Sequence, residues 1–199
     1  MNDPERDIKL MLRVSQNDDA DALQELYRIY RGPLCKFLYY CVFDYAKVED
    51  YLQEVFLRLW RSRKNYRASG KFSTYIFQIA KNYFLNEREK RMRRPGEYSL
   101  DAPFVGKDGN AFVSQTQSSG FSPDEEAFHG ELAKVLEDAI GTLPEMFQMV
   151  FRLSQIEGFK YREISEILEI PEGTVKSRMS KAVRLLRSRL AKVNEEGIS

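Results

Sequence analysis

The chain has 199 residues, 43% hydrophobic and 31% charged, a composition typical of a globular protein with room for two small domains and a linker. No apolar run approaches the roughly eighteen residues of a membrane helix, and no charged-then-apolar leader opens the chain. The sequence therefore predicts a cytoplasmic protein without membrane insertion. The net charge of +1 conceals strong local segregation, so the charged blocks are more informative than the total.

The apolar spacing before residue 44 predicts three amphipathic helices, at residues 7–14, 20–30 and 34–43. Asp19 or Asp21 is expected to cap the second helix, and Gly32-Pro33 is expected to break the chain before the third. These helices are predicted to be structural, and no chemical role is assigned to their residues.

A further helix is predicted from Val48, with two distinct faces. One face is an apolar stripe formed by Val48, Leu52, Val55, Phe56 and Leu59. The other carries Asp50, Gln53, Glu54 and Leu57. Two carboxylates, an amide and a bare leucine are typical of a solvated surface and equally of a docking face for a basic partner helix.

The stretch from Arg58 to Arg94 holds twelve Lys and Arg residues against two acids, which is typical of phosphate binding. On a helix beginning near Ser73, helical spacing predicts an outward stripe of Tyr75, Gln78, Asn82 and Asn86. The same spacing turns Ile76, Ile79, Ala80 and Tyr83 inward. One aromatic ring and three amides suit stacking on unpaired bases and hydrogen bonding to base edges. The polar loop at residues 65–71 precedes this helix, and a plain connector is its simplest interpretation.

These residues resemble domain two of the extracytoplasmic-function sigma factors, the promoter-specificity subunits of bacterial RNA polymerase. The similarity lies in Asp50-x-x-Gln53-Glu54-x-Phe56 and in Phe72-Ser73-Thr74-Tyr75-x-Phe77-x-Ile79-Ala80-x-Asn82. Tyr75 replaces the usual tryptophan and Asn86 the usual acid, and both keep stacking or hydrogen-bonding capacity.

The resemblance implies that Asp50, Gln53, Glu54 and Leu57 bind core RNA polymerase. It also implies that the loop captures a base flipped out of the minus-ten element, for which a polar and aromatic pocket is needed. The implied minus-ten residues are Tyr66, Arg67, Ser69, Phe72, Tyr75, Gln78, Lys81, Asn82 and Asn86.

The C-terminal part fits a helix-turn-helix: a short helix with Ile164, Ile167 and Leu168 inward, a turn at 169–173, and a longer basic helix. Residues 174–192 contain seven basic residues and no acid, which favours major-groove insertion. The string EGF-x-x-x-EI-x-x-IL-x-IP-x-GTVKSR resembles domain four of the same family. The resemblance implies minus-thirty-five base reading by Lys176, Ser177, Ser180 and Lys181. It implies phosphate contacts by Arg162, Thr174, Arg178 and Arg184.

The predicted fold is all-α, with sigma domain two at residues 1–94, a flexible acidic linker at 95–124 and sigma domain four at 125–199. The resemblance implies that the linker threads the polymerase. The predicted function is promoter-specific initiation by a dissociable sigma factor, whose partners are core polymerase and promoter DNA, both duplex and single-stranded. The family commonly uses an anti-sigma factor, so such a regulator or another recruiting protein is a candidate partner.

Two other classes of protein remain open at this point. A conventional helix-turn-helix regulator with an N-terminal sensing or dimerisation domain explains the C-terminal half but not the aromatic and amide stripe. A nuclease would need clustered carboxylates, and Asp18, Asp19 and Asp21 fit a helix cap better. With His129 as the only histidine beside Cys35 and Cys41, no metal site is predicted, nor is any catalytic residue or cofactor.

Overall fold

The computed structural model describes residues 3–42, 44–93 and 135–196, and the regular structure of these residues is entirely helical, as the all-α prediction requires. A short 3-10 turn, Arg63–Asn65, follows the third helix. The helices are α1 Pro4–Asn17, α2 Ala20–Val42, α3 Tyr45–Ser62, α4 Phe72–Met92, α5 135–141, α6 Glu145–Gln155, α7 Tyr161–Leu168 and α8 Glu172–Glu196.

The described helices cluster into two compact units. The first contains α1 to α4 together with the segment from Leu153 to Glu172, which includes α7. The second contains α5, α6 as far as Arg152, and α8 from Gly173 onward. The clustering therefore divides the chain differently from the predicted domains, whose boundaries stay a prediction.

The core of the first unit is rich in aromatic side chains that join α2 to α4. The ring of Tyr30 lies 5.1 Å from that of Phe72, and Phe37 lies 5.4 Å from Phe77, both as tilted or edge contacts. Edge-to-face pairs of this kind stabilise a core beyond their buried area. The Tyr30 hydroxyl also donates to the buried carboxylate of Asp7, which attaches α1 to α2.

Helix α2 is continuous from Ala20 to Val42, so the predicted break at Gly32-Pro33 is wrong. Proline removes one intrahelical hydrogen bond and normally costs about 3 kcal/mol inside a helix. Tyr30 and Leu34 are buried on either side of it, and their packing on the core outweighs that local cost. Asp19 caps this helix as predicted, since its carboxylate accepts from the Ala22 N–H at 2.9 Å.

The second unit is organised around a small apolar core. It consists of Ala139, Ile140, Leu143, Ala182 and Leu186, with Phe147, Phe151 and Leu190 packed against it. The buried Gln148 amide donates to the carbonyls of Gly141 and Leu143, at 3.1 and 2.6 Å, and so satisfies the end of α5. Leu143 and Pro144 lead directly into α6, which begins at Glu145.

Residues 94–134 lie outside the described part of the chain, so the predicted linker and its path stay predictions. None of the helices in the described ranges is long and apolar enough to cross a membrane.

Candidate nucleic-acid interface

Helix α3 presents its predicted polar face to solvent. Its apolar stripe is buried as predicted, and Tyr51 is buried with it. Opposite this stripe, Asp50 and Gln53 are exposed and Leu57 is 47% exposed. The predicted docking face is therefore accessible, and its role stays a prediction.

Glu54 differs from the other members of this face because its carboxylate is already engaged. It accepts from Arg58 at 3.0 Å and lies 3.8 Å from Arg61. Arg58 in turn lies over the ring of Tyr83, 4.7 Å from its centroid, and so connects α3 to α4. Glu54 thus positions basic side chains as well as contributing its own charge.

The loop before α4 combines one buried residue with several exposed ones. The Tyr66 ring is buried against Tyr75 and Phe72, with centroids 5.3 and 6.3 Å apart. Burial raises the pKa of Tyr66 to about 12, and its hydroxyl has no hydrogen-bond partner among the described residues. Arg67 and Ser69 are exposed, and the Ser69 N–H donates to the Arg67 carbonyl at 2.8 Å in a tight turn.

The start of this loop is anchored to the turn between α1 and α2 by Asp18. The carboxylate of Asp18 accepts from Arg63 Nε at 2.5 Å and from Lys64 Nζ at 2.8 Å, and these bonds hold its pKa below the usual range. Arg63 also lies over the Trp60 ring, 3.9 Å from its centroid. Asp18 adopts a left-handed backbone with φ of 54°, a conformation that aspartate tolerates better than most residues. The sequence pattern indicated only a cap here.

Helix α4 places the predicted minus-ten residues in three different environments. Tyr75, Gln78 and Asn82 are partly exposed, and Asn86 is exposed. The Tyr75 hydroxyl lies 3.2 Å from Ser62 Oγ, so this ring is oriented by α3. Of the residues predicted to face inward, Ile76 and Ala80 are buried, while Ile79 and Tyr83 are only partly so.

Phe72 and Lys81 do not lie on an open surface. Phe72 has no exposed area, and its ring packs on Tyr30, so it supports the interface from beneath. Lys81 is only 3% exposed, and its ammonium group lies 2.8 Å from the Glu169 carboxylate.

Glu169 and Glu163 are the site residues that the sequence pattern missed. Glu169 accepts from Gln78 Nε2 and Lys81 Nζ, both at 2.8 Å. Glu163 lies 2.6 Å from Lys71 Nζ at the other end of α7. No local sequence pattern predicts these contacts, because Lys81 and Glu169 lie 88 positions apart in the chain.

Helix α8 carries the predicted minus-thirty-five face. Val175, Met179, Ala182 and Leu186 are buried at helical spacing. Thr174 and Arg178 are partly exposed. The other predicted residues of α8 are exposed: Lys176, Ser177, Ser180, Lys181 and Arg184. The helix begins at Glu172, so the predicted turn at 169–173 is shorter and Gly173 belongs to the first helical turn.

Arg162 is exposed on α7, where it pairs with Glu166 at 3.5 Å.

Within the described ranges, no three side chains of His, Cys, Asp or Glu come together as a metal site. Cys35 and Cys41 are partly buried, and burial raises the pKa of the Cys35 thiol. The candidate residues therefore form charged, amide and aromatic surfaces on α3, α4, α7 and α8 and in the loop before α4.

Two family models match this chain. Residues 26–94 match Sigma-70 region 2, and residues 133–186 match Sigma-70, region 4. The first match contains α3, the loop and α4, and the second contains most of α8.

The chain is also similar to named proteins along most of its length. It is 31% identical to the ECF RNA polymerase sigma factor SigW of Bacillus subtilis, over 92% of this chain and 96% of that protein. It is 29% identical to the RNA polymerase sigma-H factor of Pseudomonas aeruginosa, over 89% and 90%. The similarity therefore spans both matched regions.

Two solved structures share the fold. CnrH, solved in complex with the cytosolic domain of CnrY, gives a TM-score of 0.66 at 19% identity over 96% of this chain and 99% of that chain. The sigma factor RpoE of Bartonella quintana, solved with the anti-sigma factor NepR, gives 0.61 at 19% identity over 84% and 96%.

Proposed function

Because this chain belongs to the extracytoplasmic-function family of RNA polymerase sigma factors, we propose that its two family regions divide promoter recognition between them. The chain directs promoter-specific transcription initiation by binding core RNA polymerase and promoter DNA. On this proposal it acts in the cytoplasm as a regulatory subunit and has no catalytic residue or cofactor of its own.

Core polymerase binds the polar face of α3 on this proposal. The observation that carries the assignment is the exposed Leu57 beside Asp50 and Gln53, opposite a fully buried stripe. An apolar side chain ringed by carboxylate and amide groups fits a basic helix with an apolar centre. Glu54 contributes charge to the same face while it holds Arg58 in place.

The loop and α4 capture the minus-ten strand after the duplex opens. Tyr75 offers a ring for stacking, and Gln78 and Asn82 offer amides for base edges. Stacking of an unpaired base on such a ring contributes about 1 to 3 kcal/mol, which offsets part of the cost of melting. The buried Tyr66 and Phe72 support the loop, so Arg67 and Ser69 are the loop residues that contact a flipped base directly.

The exposed face of α8 enters the major groove of the minus-thirty-five element. Lys176, Ser177, Ser180 and Lys181 read base edges. The residues that hold phosphates are Arg162, Thr174, Arg178 and Arg184. The exposed Lys176, Lys181 and Arg184, in a segment that contains no acid from residue 174 to residue 192, support this assignment. A conventional helix-turn-helix regulator would use the same helix, but it would not account for the region 2 match at residues 26–94.

An anti-sigma factor is the regulator that we propose for this chain. The similar fold of RpoE, which was solved with the anti-sigma factor NepR, supports a partner of that kind.

The test is transcription in vitro by holoenzyme reconstituted from the full chain and purified core polymerase, on a library of genomic fragments. Transcripts should start downstream of one shared two-part motif, and core polymerase alone should give no such set. Lys181→Ala should lower initiation from these promoters. Arg189→Ala removes the same charge from an exposed position outside the reading face and should leave initiation unchanged. Start sites identical to those of core polymerase alone would contradict the proposal.

A further inference from the structure

The C-terminal end of α7 covers the face of α4 that would meet unpaired bases. One carboxylate, that of Glu169, receives Gln78 Nε2 on one oxygen and Lys81 Nζ on the other, each at 2.8 Å. Two neighbouring members of the minus-ten set are therefore engaged by a single acidic side chain.

Two further contacts fix the other end of this segment. Glu163 lies 2.6 Å from Lys71 Nζ, and it accepts the Lys160 N–H at 2.8 Å. Phe77 lies between Lys71 and Lys81 in sequence, and its ring packs edge-on against that of Phe159, 4.9 Å between centroids. The segment from Gly158 to Glu169 is thus held by an aromatic contact flanked by two carboxylate–lysine pairs, all within the first compact unit.

The backbone of the segment places the Glu169 side chain. Glu169 adopts a left-handed conformation, with φ of 56°, at the end of α7. The Ile170 N–H donates to the Ser165 carbonyl at 3.2 Å, and Ser165 Oγ donates back to the Ile170 carbonyl at 2.6 Å. A non-glycine residue at positive φ that is fixed from both sides has a defined side-chain direction.

The carboxylates of Glu163 and Glu169 resemble the phosphate groups of nucleic acid as charged hydrogen-bond acceptors. Hydrogen bonds from Lys81 and then Gln78 lower the pKa of Glu169. Burial alone would raise the pKa of Glu163, but the hydrogen bonds from Lys71 and from the Lys160 N–H outweigh it and lower that pKa. Each group is a negatively charged oxygen acceptor at neutral pH, as a phosphate would be.

The contact excludes DNA from the same groups. Lys81 is 3% exposed with its ammonium on Glu169, so no strand can reach it while α7 is in place. Occupation by the segment and occupation by unpaired DNA are therefore alternatives.

We propose that residues 158–169 form an internal inhibitor that occupies the minus-ten surface of the chain by mimicking DNA, so that the segment must leave before this surface binds the open strand. The proposal rests on the assignment of α4 to unpaired DNA. It makes α7, which is the first helix of the helix-turn-helix, a part of the chain with two alternative positions.

The contact itself is tested by carbodiimide cross-linking of the full chain, followed by mass spectrometry. Carbodiimide joins a carboxylate to an adjacent amine as an amide, so Lys81 should be linked to Glu169 and Lys71 to Glu163. Lys64 and Asp18, 2.8 Å apart within the N-terminal helices, provide the positive control. Both diagnostic links should be lost when core polymerase is added. Their absence from the chain alone, while the control link forms, would overturn the proposal.

Inhibition is tested by the affinity of the full chain, without polymerase, for fluorescein-labelled single-stranded DNA of about twelve mixed nucleotides. Glu169→Gln should bind about two- to fivefold more tightly than the wild type, the range expected for loss of one partly exposed ion pair. Glu166→Gln is the matched control, because it removes the same charge from the same helix at a residue that pairs with Arg162 instead. Equal affinity of Glu169→Gln and Glu166→Gln, including no measurable binding by either, would overturn the inhibitor.

Failure of the inhibitor and failure of the proposed function are separable. Binding of core polymerase through α3 involves neither Glu163 nor Glu169. A chain that binds polymerase and initiates at promoters, but shows no gain in Glu169→Gln, is a sigma factor without this inhibitor. A chain whose Glu169→Gln variant gains DNA affinity without initiating transcription keeps the inhibitor and loses the proposed function.

Discussion

Tyr66 has a buried ring that supports the loop before α4 and a buried hydroxyl without a hydrogen-bond partner among the described residues. A buried and unsatisfied polar atom costs about 1 to 3 kcal/mol. The residue thus contributes stability through its ring, while its oxygen opposes that contribution. The sequence could not distinguish these roles, because tyrosine is typical both of a core and of a base-binding pocket.

Tyr66→Phe is expected to leave the free energy of unfolding unchanged or to raise it by up to about 1 kcal/mol, because it removes only the unsatisfied oxygen. Tyr66→Ala should instead lower it by about 3 to 5 kcal/mol through loss of the ring. Urea denaturation followed by circular dichroism measures both. A loss of more than about 1 kcal/mol in the phenylalanine variant would mean that the hydroxyl has a partner in solution.

Asn82→Ala is expected to reduce the formation of open promoter complexes by about five- to tenfold while leaving the affinity for core polymerase unchanged. The physical reason is the loss of one amide that pairs with a base edge, worth about 1 kcal/mol or somewhat more. Permanganate footprinting of unpaired thymines measures opening. Gln155→Ala removes an exposed amide from α6 and is the control. If opening and polymerase affinity fell together, Asn82 would not be a base reader.

At the scale of single helices, local pattern was sufficient wherever one face is buried and the other is free. The stripe of α3 and that of α8 follow from apolar spacing, as does the exposure of Leu57 and Lys181. Phe72 and Lys81 could not be placed in this way. Their burial depends on contacts with Tyr30 and with Glu169, which are distant in sequence.

Helix α2 shows how tertiary packing overrides a local signal. Gly32-Pro33 is typical of a helix break, yet burial of Tyr30, Leu34 and Phe37 along one side holds the chain helical through the proline. The sequence could have indicated this only through the continuous apolar spacing across the dipeptide.

Pro33→Ala is therefore expected to raise the free energy of unfolding by about 1 to 3 kcal/mol, because the new N–H can donate to the Ile29 carbonyl. Thermal and urea denaturation measure the change. Gly32→Ala, at an open position of the same turn, should add about 0.5 to 1 kcal/mol. A neutral or destabilised Pro33→Ala variant would indicate that the helix does break at this dipeptide.

The turn between α6 and α7 adds a dependence on pH to the contact made by residues 158–169. Burial raises the pKa of Glu157 to about 7, against the opposing effect of the nearby Lys36 ammonium on α2. A carboxyl whose pKa is raised in the closed form favours closure fully below its ordinary pKa of about 4.5, and loses that effect as pH rises through about 7. The lowered pKa values of Glu163 and Glu169 act in the opposite sense, but only below about pH 4.5.

Single-stranded DNA affinity of the wild type should therefore rise between about pH 6 and about pH 8, relative to Glu157→Gln, which cannot ionise at this position. His129 is present in both proteins, so its own titration cancels in the ratio. Fluorescence anisotropy across this range measures the ratio. A ratio that stays constant, or falls, would show that ionisation of Glu157 does not weaken the closed contact.

Across the whole molecule, acidic and basic residues are concentrated in different segments, although the net charge is close to zero. The formal net charge of +1 is the balance of 31 basic and 30 acidic residues, and basic residues are concentrated at 58–94 and 174–192. The order of these surfaces along the chain agrees with the two family regions at residues 26–94 and 133–186. The sequence predicts this organisation because each surface lies on one helix. It does not predict the contact of α7 with α4, because that contact joins segments that are distant in the chain.

The most direct measurement is an equilibrium titration of the fluorescently labelled full chain with purified core RNA polymerase. The wild type should bind tightly, and a variant with Asp50, Gln53 and Leu57 changed to alanine should bind about tenfold more weakly or worse. Asp21, Gln16 and Leu85 changed to alanine give the matched control, since they are an exposed acid, amide and leucine of the first unit outside α3. The control should bind as the wild type does. A wild-type chain that does not bind core polymerase, or an α3 variant that binds equally well, would contradict the polymerase-docking role of this face.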